Sequence, residues 1–299
     1  MRISIFLLLL SVISLGGPAH ATEVTGEGSP EASAIKHVVM LGIDGLSVDG
    51  LAKAKTPHLD KLTVGGVFLS RSRGVMPTKS APNWSSILTG VYPSQHGIHS
   101  NQWWWFRFKR TQGYPTIFTA LKNSRPQSEA IALYEWKQFG RLFKSAELKS
   151  SWWVKDRAKL TKELSNALSS GMPSLTVVHM LSADTAGHEH AWMSDEYIEG
   201  VEYADGQVGA IVELLKAKDA LKDTLIVVAT DHGGVGKGHG GDSETELYTP
   251  VIFNGPGIKK GLRLHGMTQN VDITATLYRT LGIQSEVALK GIPLKVIWE

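Results

Sequence analysis

Seven side chains with the chemistry of metal ligands and a nucleophile recur at comparable places along this 299-residue chain. Asp44 ends the apolar run "HVVMLGID", and Asp231, followed at once by His232, ends "TLIVVATD". Asp184 and His188 stand four apart in "SADTAGHEHAW", and His239 lies in the glycine-rich "GGVGKGHGGD". Carboxylate oxygen with imidazole nitrogen is the donor set that suits Zn²⁺. Ser80 lies in "GVMPTKSAPNWSSILTG", just ahead of Pro82 and Asn83 and a short apolar-periodic run of Trp84, Ile87 and Leu88. A hydroxyl at a helix N-terminus faces unpaired backbone N–H groups and the positive end of the helix dipole, a place for phosphate or sulfate. Taken singly, each feature has an ordinary explanation: an Asp ending a strand caps a turn, an Asp-His pair is solvated, a Ser caps a helix. Taken together, three acids and two or three histidines at one sheet edge would repel or stay unpaired without a cation. A two-metal site accounts for them better.

The elements that must position these groups alternate. His37 to Asp44, Ser174 to Leu181 and Thr224 to Asp231 are near-continuous apolar runs, the pattern of strands buried on both faces. "VFLS", Glu129 to Tyr134 and "TPVIFNGP" add further strands. Between them lie helical stretches: "TPHLDKLTVGG", the Ser80 segment, "YPTIFTALKN", and "VKDRAKLTKELSNALSSG" with Leu160, Leu164 and Leu168 at steps of four. The clearest helix is "SDEYIEGVEYADGQVGAIVELLKAK". Ser194 is its N-cap, Asp195 and Glu196 fill its first turn, and Tyr197, Val201, Ala204, Val208, Ile211 and Leu215 form one apolar face. "NVDITATLYRTLGI" closes the chain with a helix ending near Gly282. The fold class expected is α/β, a layered α/β/α domain with a mostly parallel central sheet and its site beyond the carboxyl ends of the strands.

The first 21 residues, "MRISIFLLLLSVISLGGPAHA", combine an early Arg, a short apolar core and Ala-His-Ala, the pattern of a secretory signal cut after Ala21. The apolar run is short for a membrane-spanning helix, so no stable membrane insertion is expected. Residues 22–33 read as a polar, flexible leader, and residues 34–299 suit a single domain. Cysteine is absent, which excludes disulfides and lipid attachment through cysteine. A periplasmic or secreted protein fits. The formal net charge is 31 − 28 = +3, and nothing in its distribution argues for duplex nucleic acid as a partner.

The segments "GIDGL", "MPTKSAPNWSSILTGVYPSQHGIHSN", "DTAGHEHAW", "ATDHGG" and "GHGGD…TPVIFNGPGIKKG" together resemble the alkaline phosphatase superfamily, most closely its nucleotide pyrophosphatase/phosphodiesterase branch. They span roughly residues 36 to 284, in the family's order. The resemblance implies two zinc ions per chain. Asp184, His188 and His239 would hold one; Asp44, Asp231, His232 and the nucleophile Ser80 would hold the other. Asn83 would donate to a non-bridging phosphoryl oxygen together with backbone N–H at the helix start. Two such ions about 4 Å apart would clamp an in-line displacement through a phosphoserine intermediate. The substrates implied are small-molecule phosphate esters, phosphodiesters or nucleotide pyrophosphates first and phosphomonoesters second. Diesters have one charge fewer to neutralise, and no Arg is assignable to that task; Lys79 is a candidate that would otherwise cap the helix.

Two departures from the branch stand out. Position 84 is Trp where the branch more often has His, and Ser80 replaces the more usual Thr. Thr78 is the rival hydroxyl, but Pro and Asn follow Ser80 at the family's offset. A sulfatase would need an Arg at position 84 and a second acid after Asp44, where Trp84 and Gly45 stand. A non-catalytic metal-binding relative would be expected to have lost a ligand or the nucleophile. His37, His58, His99, His190 and His265 read as surface or turn residues, His179 as packed in its strand, and His96 as shaping the "QHGI" loop. Eight of the nine tryptophans fall between Trp84 and Trp192. Among them Trp103, Trp104 and Trp105 cannot all point inward from one element, so an exposed ring is expected to stack on an aromatic leaving group.

Overall fold

The computed structural model describes residues 35–102, 113–266 and 268–299. The proposed signal and the whole leader, and with them Trp103–Trp105, lie outside the described residues. The strands are β1 (His37–Ile43), β2 (Val67–Arg73), β3 (Ala130–Tyr134), β4 (Ser150–Trp153), β5 (Leu175–Met180), β6 (Thr224–Ala229), β7 (Tyr248–Asn254), β8 (Leu262–Leu264) and β9 (Thr268–Gln269). They form one sheet in the order β4-β3-β5-β1-β6-β7-β2-β8, with β9 paired to β2. From β4 through β6 every pairing is parallel. Only β7 runs against its neighbours β6 and β2.

The helices are α1 (Val48–Lys53), α2 (Pro57–Val64), α3 (Ser80–Thr89), α4 (Pro93–His96), α5 (Ile117–Ser124), α6 (Leu160–Ala167), α7 (Ser182–His190), α8 (Asp195–Ala217), α9 (Glu244–Leu247) and α10 (Val271–Leu281). Side chains of a strand alternate between faces, and β1 supplies both cores. Val38 and Met40 join the one containing Ile87 of α3, Phe118 of α5 and Leu277 of α10. Val39, Leu41 and Ile43 join the one containing Leu59 of α2, Leu164 of α6 and Val201 of α8. Each such buried side chain is worth about 1.5–3 kcal/mol. The result is the layered α/β/α arrangement that the alternating pattern predicts. Among the described residues no helix is long and apolar enough to cross a membrane.

Two expectations change. The helix read from Val154 onward begins only at Leu160. Ahead of it Ser150–Trp153 adds the edge strand β4, and the Asp156 side chain accepts from Ala158 N–H, closing a 3-10 turn over Arg157–Lys159. The short β8 and β9 carry no periodic signal long enough to read.

Parallel pairing brings the carboxyl ends of β5, β1 and β6 to one edge. That edge is where Asp184, Asp44 and Asp231 must meet.

Candidate active site

The turn after β1 sets the first candidate ligand, Asp44. Gly45 has φ +73°, and a Cβ there would lie 2.8 Å from Asp184 Cα. Without one, Asp184 N–H reaches the carbonyl of Asp44 at 3.2 Å, joining the ends of β1 and β5. Gly45 N–H also donates to Asp231 Oδ1 at 3.2 Å, tying in the end of β6. The expected helical turn at 182–190 forms as α7, and it puts Asp184 and His188 on one side, Oδ1 to Nε2 3.5 Å.

Ligand atoms of Asp44, Asp231 and His232 lie within 4.8 Å of one another, as do those of Asp184, His232 and His239. His232 Nε2 stands 3.2 Å from Asp231 Oδ2 and 3.5 Å from Asp44 Oδ1. His239 Nε2 is 3.7 Å from Asp184 Oδ1 and 3.1 Å from His188 Nε2. Each imidazole is oriented from behind. Nδ1 of His188, His232 and His239 meets the carbonyl of Lys237, Gly233 and Thr78 at 3.0, 2.8 and 2.8 Å. Nδ1–H therefore donates outward, and the three Nε2 lone pairs face inward. The His232 and His239 rings stack at 3.6 Å.

Ser80 opens α3, whose ten residues are all buried. Its Oγ lies 3.2 Å from His232 Nε2. Thr78 is not so placed: its Oγ1 is held between Gly240 N–H and the Gly241 carbonyl, and its own carbonyl orients His239.

Asn83 corrects an expectation. It is fully buried and its side chain stitches together the loop before α3. Nδ2 donates to the carbonyls of Val75, Pro77 and Lys79 at 3.1–3.2 Å, and Oδ1 accepts from Val75 N–H at 2.7 Å and Asn270 Nδ2 at 2.9 Å. With its donors spent on backbone, it holds the loop that carries Ser80 and has no donor left to offer. The amide beside Ser80 belongs to Asn101, whose Nδ2 donates to Ser80 Oγ at 3.4 Å while Oδ1 accepts from Ala81 N–H at 2.8 Å. Sequence reading missed Asn101, which comes from a loop 21 positions further on. The backbone N–H of Ala81 at the helix start is likewise already engaged.

The electrostatics are those of a site built for a cation. Burial, reinforced by the charges of Asp44 and Asp184, pushes the Asp231 carboxyl well above its usual range. Burial and Asp44 push Asp184 up to about 8. Burial would raise Asp44 too, but the hydrogen bond and charge of His179, with His232 and Trp84, outweigh it and hold that carboxyl low. Burial, then His239, drives the His232 imidazolium pKa down to about 3, so the ring is neutral. Asp44 Oδ1, Asp184 Oδ1 and Asp231 Oδ2 are all buried with no hydrogen-bond partner. Three orphaned carboxylate oxygens facing three imidazole lone pairs fit divalent metal. The Asp44, Asp231 and His232 set forms a closed floor, whereas Asp184 and His239 sit at a mouth where His188 is 45 % exposed.

His37, His58, His99, His190 and His265 stay outside this cluster. His37 bonds the Pro173 carbonyl, the His58 ring lies against Gly209, and His265 meets Ser70 Oγ. His96 is buried between Ser86 and the loop it was expected to shape. His179 is buried in β5 as expected, but it also reaches Asp44.

Residues 38–237 match the family described as type I phosphodiesterase / nucleotide pyrophosphatase. Ectonucleotide pyrophosphatase/phosphodiesterase family member 3 of Rattus norvegicus is 25 % identical over 234 residues, 68 % of this chain and 25 % of that protein. Bis(5'-adenosyl)-triphosphatase enpp4 of Mus musculus is 24 % identical over 237 residues, 70 % of this chain and half of that one. The chain thus spans half or less of these relatives' length. Among solved structures, murine ectonucleotide pyrophosphatase/phosphodiesterase 5, in an inactive form complexed with AMP, superposes with a TM-score of 0.74 at 14 % identity, covering 88 % of this chain and all of that one. A 2-O GAG sulfatase gives 0.70 at 17 % identity over 87 % of this chain and 73 % of its own; both likenesses speak to the fold. With residues 38–237, two thirds of its length, matched by that family, the chain belongs to the type I phosphodiesterase / nucleotide pyrophosphatase family.

Proposed function

We propose that this protein hydrolyses phosphodiesters or nucleotide pyrophosphates, with Ser80 as nucleophile and a phosphoserine intermediate. The observation that carries the reading is the convergence of three orphaned carboxylate oxygens and three inward imidazole nitrogens beside the Ser80 hydroxyl. When bound, two zinc ions, one at Asp184, His188 and His239 and one at Asp44, Asp231, His232 and Ser80, supply Lewis acidity that acidifies the hydroxyl and neutralises phosphoryl charge. Ser80 Oγ, its proton released, forms the new P–O bond as the leaving-group oxygen takes up a proton and departs, leaving on Ser80 the phosphoryl group with the ester it keeps. Water then forms a P–O bond as the Ser80–phosphorus bond breaks. Asn101 Nδ2, within 3.4 Å of Oγ, donates to a non-bridging oxygen, a contact that strengthens as charge builds there. The dipole of α3 acts in the same sense. The enzyme works outside the cytoplasm, in the periplasm or secreted, with residues 1–21 as its signal.

Preference for diesters over monoesters is supported by the groups contacting Ser80. Asn101 is uncharged and His232 is neutral at pH 7, so among the described residues the side chains bonded to Ser80 Oγ offer no full positive charge. An aromatic leaving group belongs to the same reading. Trp152 and Trp153 are 39 % and 42 % exposed at the same carboxyl edge of the sheet, and Trp103–Trp105 remain candidates.

The test is turnover by zinc-loaded protein of an aryl phosphodiester, an aryl monophosphate and an aryl sulfate in parallel. The diester should turn over fastest. A protein that hydrolyses only the monophosphate or the sulfate is a phosphomonoesterase or a sulfatase-type enzyme, and one that binds zinc without turnover is a non-catalytic relative.

A further inference from the structure

Trp84, one of the two positions where the resemblance leads one to expect a different residue, lies fully buried at the floor of the site. Its Nε1–H donates to Asp44 Oδ2 at 2.9 Å, and His179 Nε2 lies 2.9 Å from the same oxygen. An ionised carboxylate only accepts, so His179 carries its proton on Nε2 and donates. Two N–H donors therefore occupy Oδ2, while Oδ1 of the same carboxylate is orphaned and faces His232 Nε2 at 3.5 Å. One oxygen is held; the other is presented.

The surroundings are built for this. Position 42 is glycine, and a Cβ there would lie 2.6 Å from the Trp84 ring, so the indole fits against β1 only because Gly42 has no side chain. Gly42 pairs in register with His179 across β1 and β5. The imidazole is enclosed by Phe139 at 4.6 Å, Trp84 at 5.2 Å and Trp136 at 6.4 Å between ring centroids. Its Nδ1 is buried without a hydrogen-bond partner among the described residues, so its bond to Asp44 is the one polar contact found for this ring among them. A buried polar ring costs free energy unless its bonds do something. Packing alone would be served better by an aromatic hydrocarbon.

We infer that Trp84 and His179 are positioning residues that fix Asp44 as a single-oxygen ligand, presenting Oδ1 alone to the ion shared with Asp231, His232 and Ser80. The inference rests on the metal reading of the site given above. Neither residue is one of the grouped ligand side chains; each reaches the site through Asp44 Oδ2. They act by blocking rotation and two-oxygen binding of the carboxylate and by raising the affinity of the floor site, as outer partners of metal ligands do.

The test is zinc affinity by chelator competition on the full chain, with the metal-free melting temperature measured beside it. Trp84→Phe removes the N–H and keeps a ring; His179→Leu removes the other donor; His179→Gln keeps an amide donor. Trp84→Phe and His179→Leu should each weaken one of two zinc equivalents 10–100-fold, leave the second equivalent unchanged and lower kcat more than they raise KM. His179→Gln should recover part of the lost affinity. Variants that bind both equivalents like wild type overturn the inference alone. So do variants that lose both equivalents together with the metal-free fold. A wild-type protein that binds less than one equivalent overturns the metal reading as well.

Discussion

Asn83 and Asn101 offer a clean separation of scaffold from chemistry. Replacing Asn83 with Ala leaves Val75 N–H and the Asn270 amide without their buried acceptor, and frees three loop carbonyls. Each orphaned buried donor costs about 1–3 kcal/mol, so the two together cost roughly 2–6 kcal/mol. For a domain of this size about 2–4 °C of melting temperature accompanies each kcal/mol, which predicts a fall of roughly 5–20 °C. Asn101 is only half-buried, and its loss chiefly frees the Ala81 N–H, worth about 1 kcal/mol. Losing one donor to a developing oxyanion, in contrast, costs about 10²–10³ in kcat. The assay is calorimetric melting of both Ala variants, with diester kinetics at a temperature where each is folded. Asn83→Ala should melt low with kcat within about tenfold of wild type, and Asn101→Ala should melt normally and lose two to three orders of magnitude. The opposite pattern, a slow but stable Asn83→Ala beside a fast Asn101→Ala, would refute the assignment.

Removing zinc with chelator should lower the melting temperature, since an ion at 1,000 times its Kd adds about 4 kcal/mol per site. Asp231→Asn should show about half of that zinc-induced shift and melt no lower than wild type when both are metal-free, because it removes a buried carboxyl crowded by Asp44 and Asp184. His96 predicts an acid lability. Burial, with His99, holds its pKa at about 3 against 6.5 in the unfolded chain, so the unfolded state binds the extra proton. Stability from the neutral ring is full above pH 6.5 and falls by about 1.4 kcal/mol per pH unit as pH drops from there toward 3. Metal-free His96→Gln should lack that part of the slope; an unchanged slope would exclude His96 as its source. Thr78→Val should loosen the glycine loop behind His239 and weaken the mouth zinc about tenfold, with Ser80 still phosphorylated in turnover.

The gathering of polar side chains at the strand ends was legible because Asp44, Asp231 and His232 directly follow buried apolar runs, and Asp184, His188 and His239 lie in the helix or glycine-rich loop beyond them. Asp44, Asp231 and His232 follow β1 and β6 directly, and α7 brings Asp184 and His188 to one side. Parallel pairing does the rest. What was not legible depends on direction rather than residue type. Asn83 is three positions from Ser80 in sequence, yet its amide turns back on the loop, whereas Asn101 arrives from a segment with no periodicity to mark it. His179 read as a strand residue because half of its role is to be one. The antiparallel sense of β7, and the short edge strands, follow from tertiary pairing that no local pattern encodes.

The central claim is that Ser80 becomes phosphorylated during hydrolysis. Acid-quenching the zinc-loaded enzyme during turnover of an aryl phosphodiester and mapping the phosphoryl group by peptide mass spectrometry tests it directly. The account predicts one phosphoryl group, still bearing the ester that the substrate keeps, on the peptide containing Ser80, absent in Ser80→Ala together with turnover. Rapid turnover with no phosphorylated peptide, or a phosphoryl group found on Thr78 instead, would contradict it.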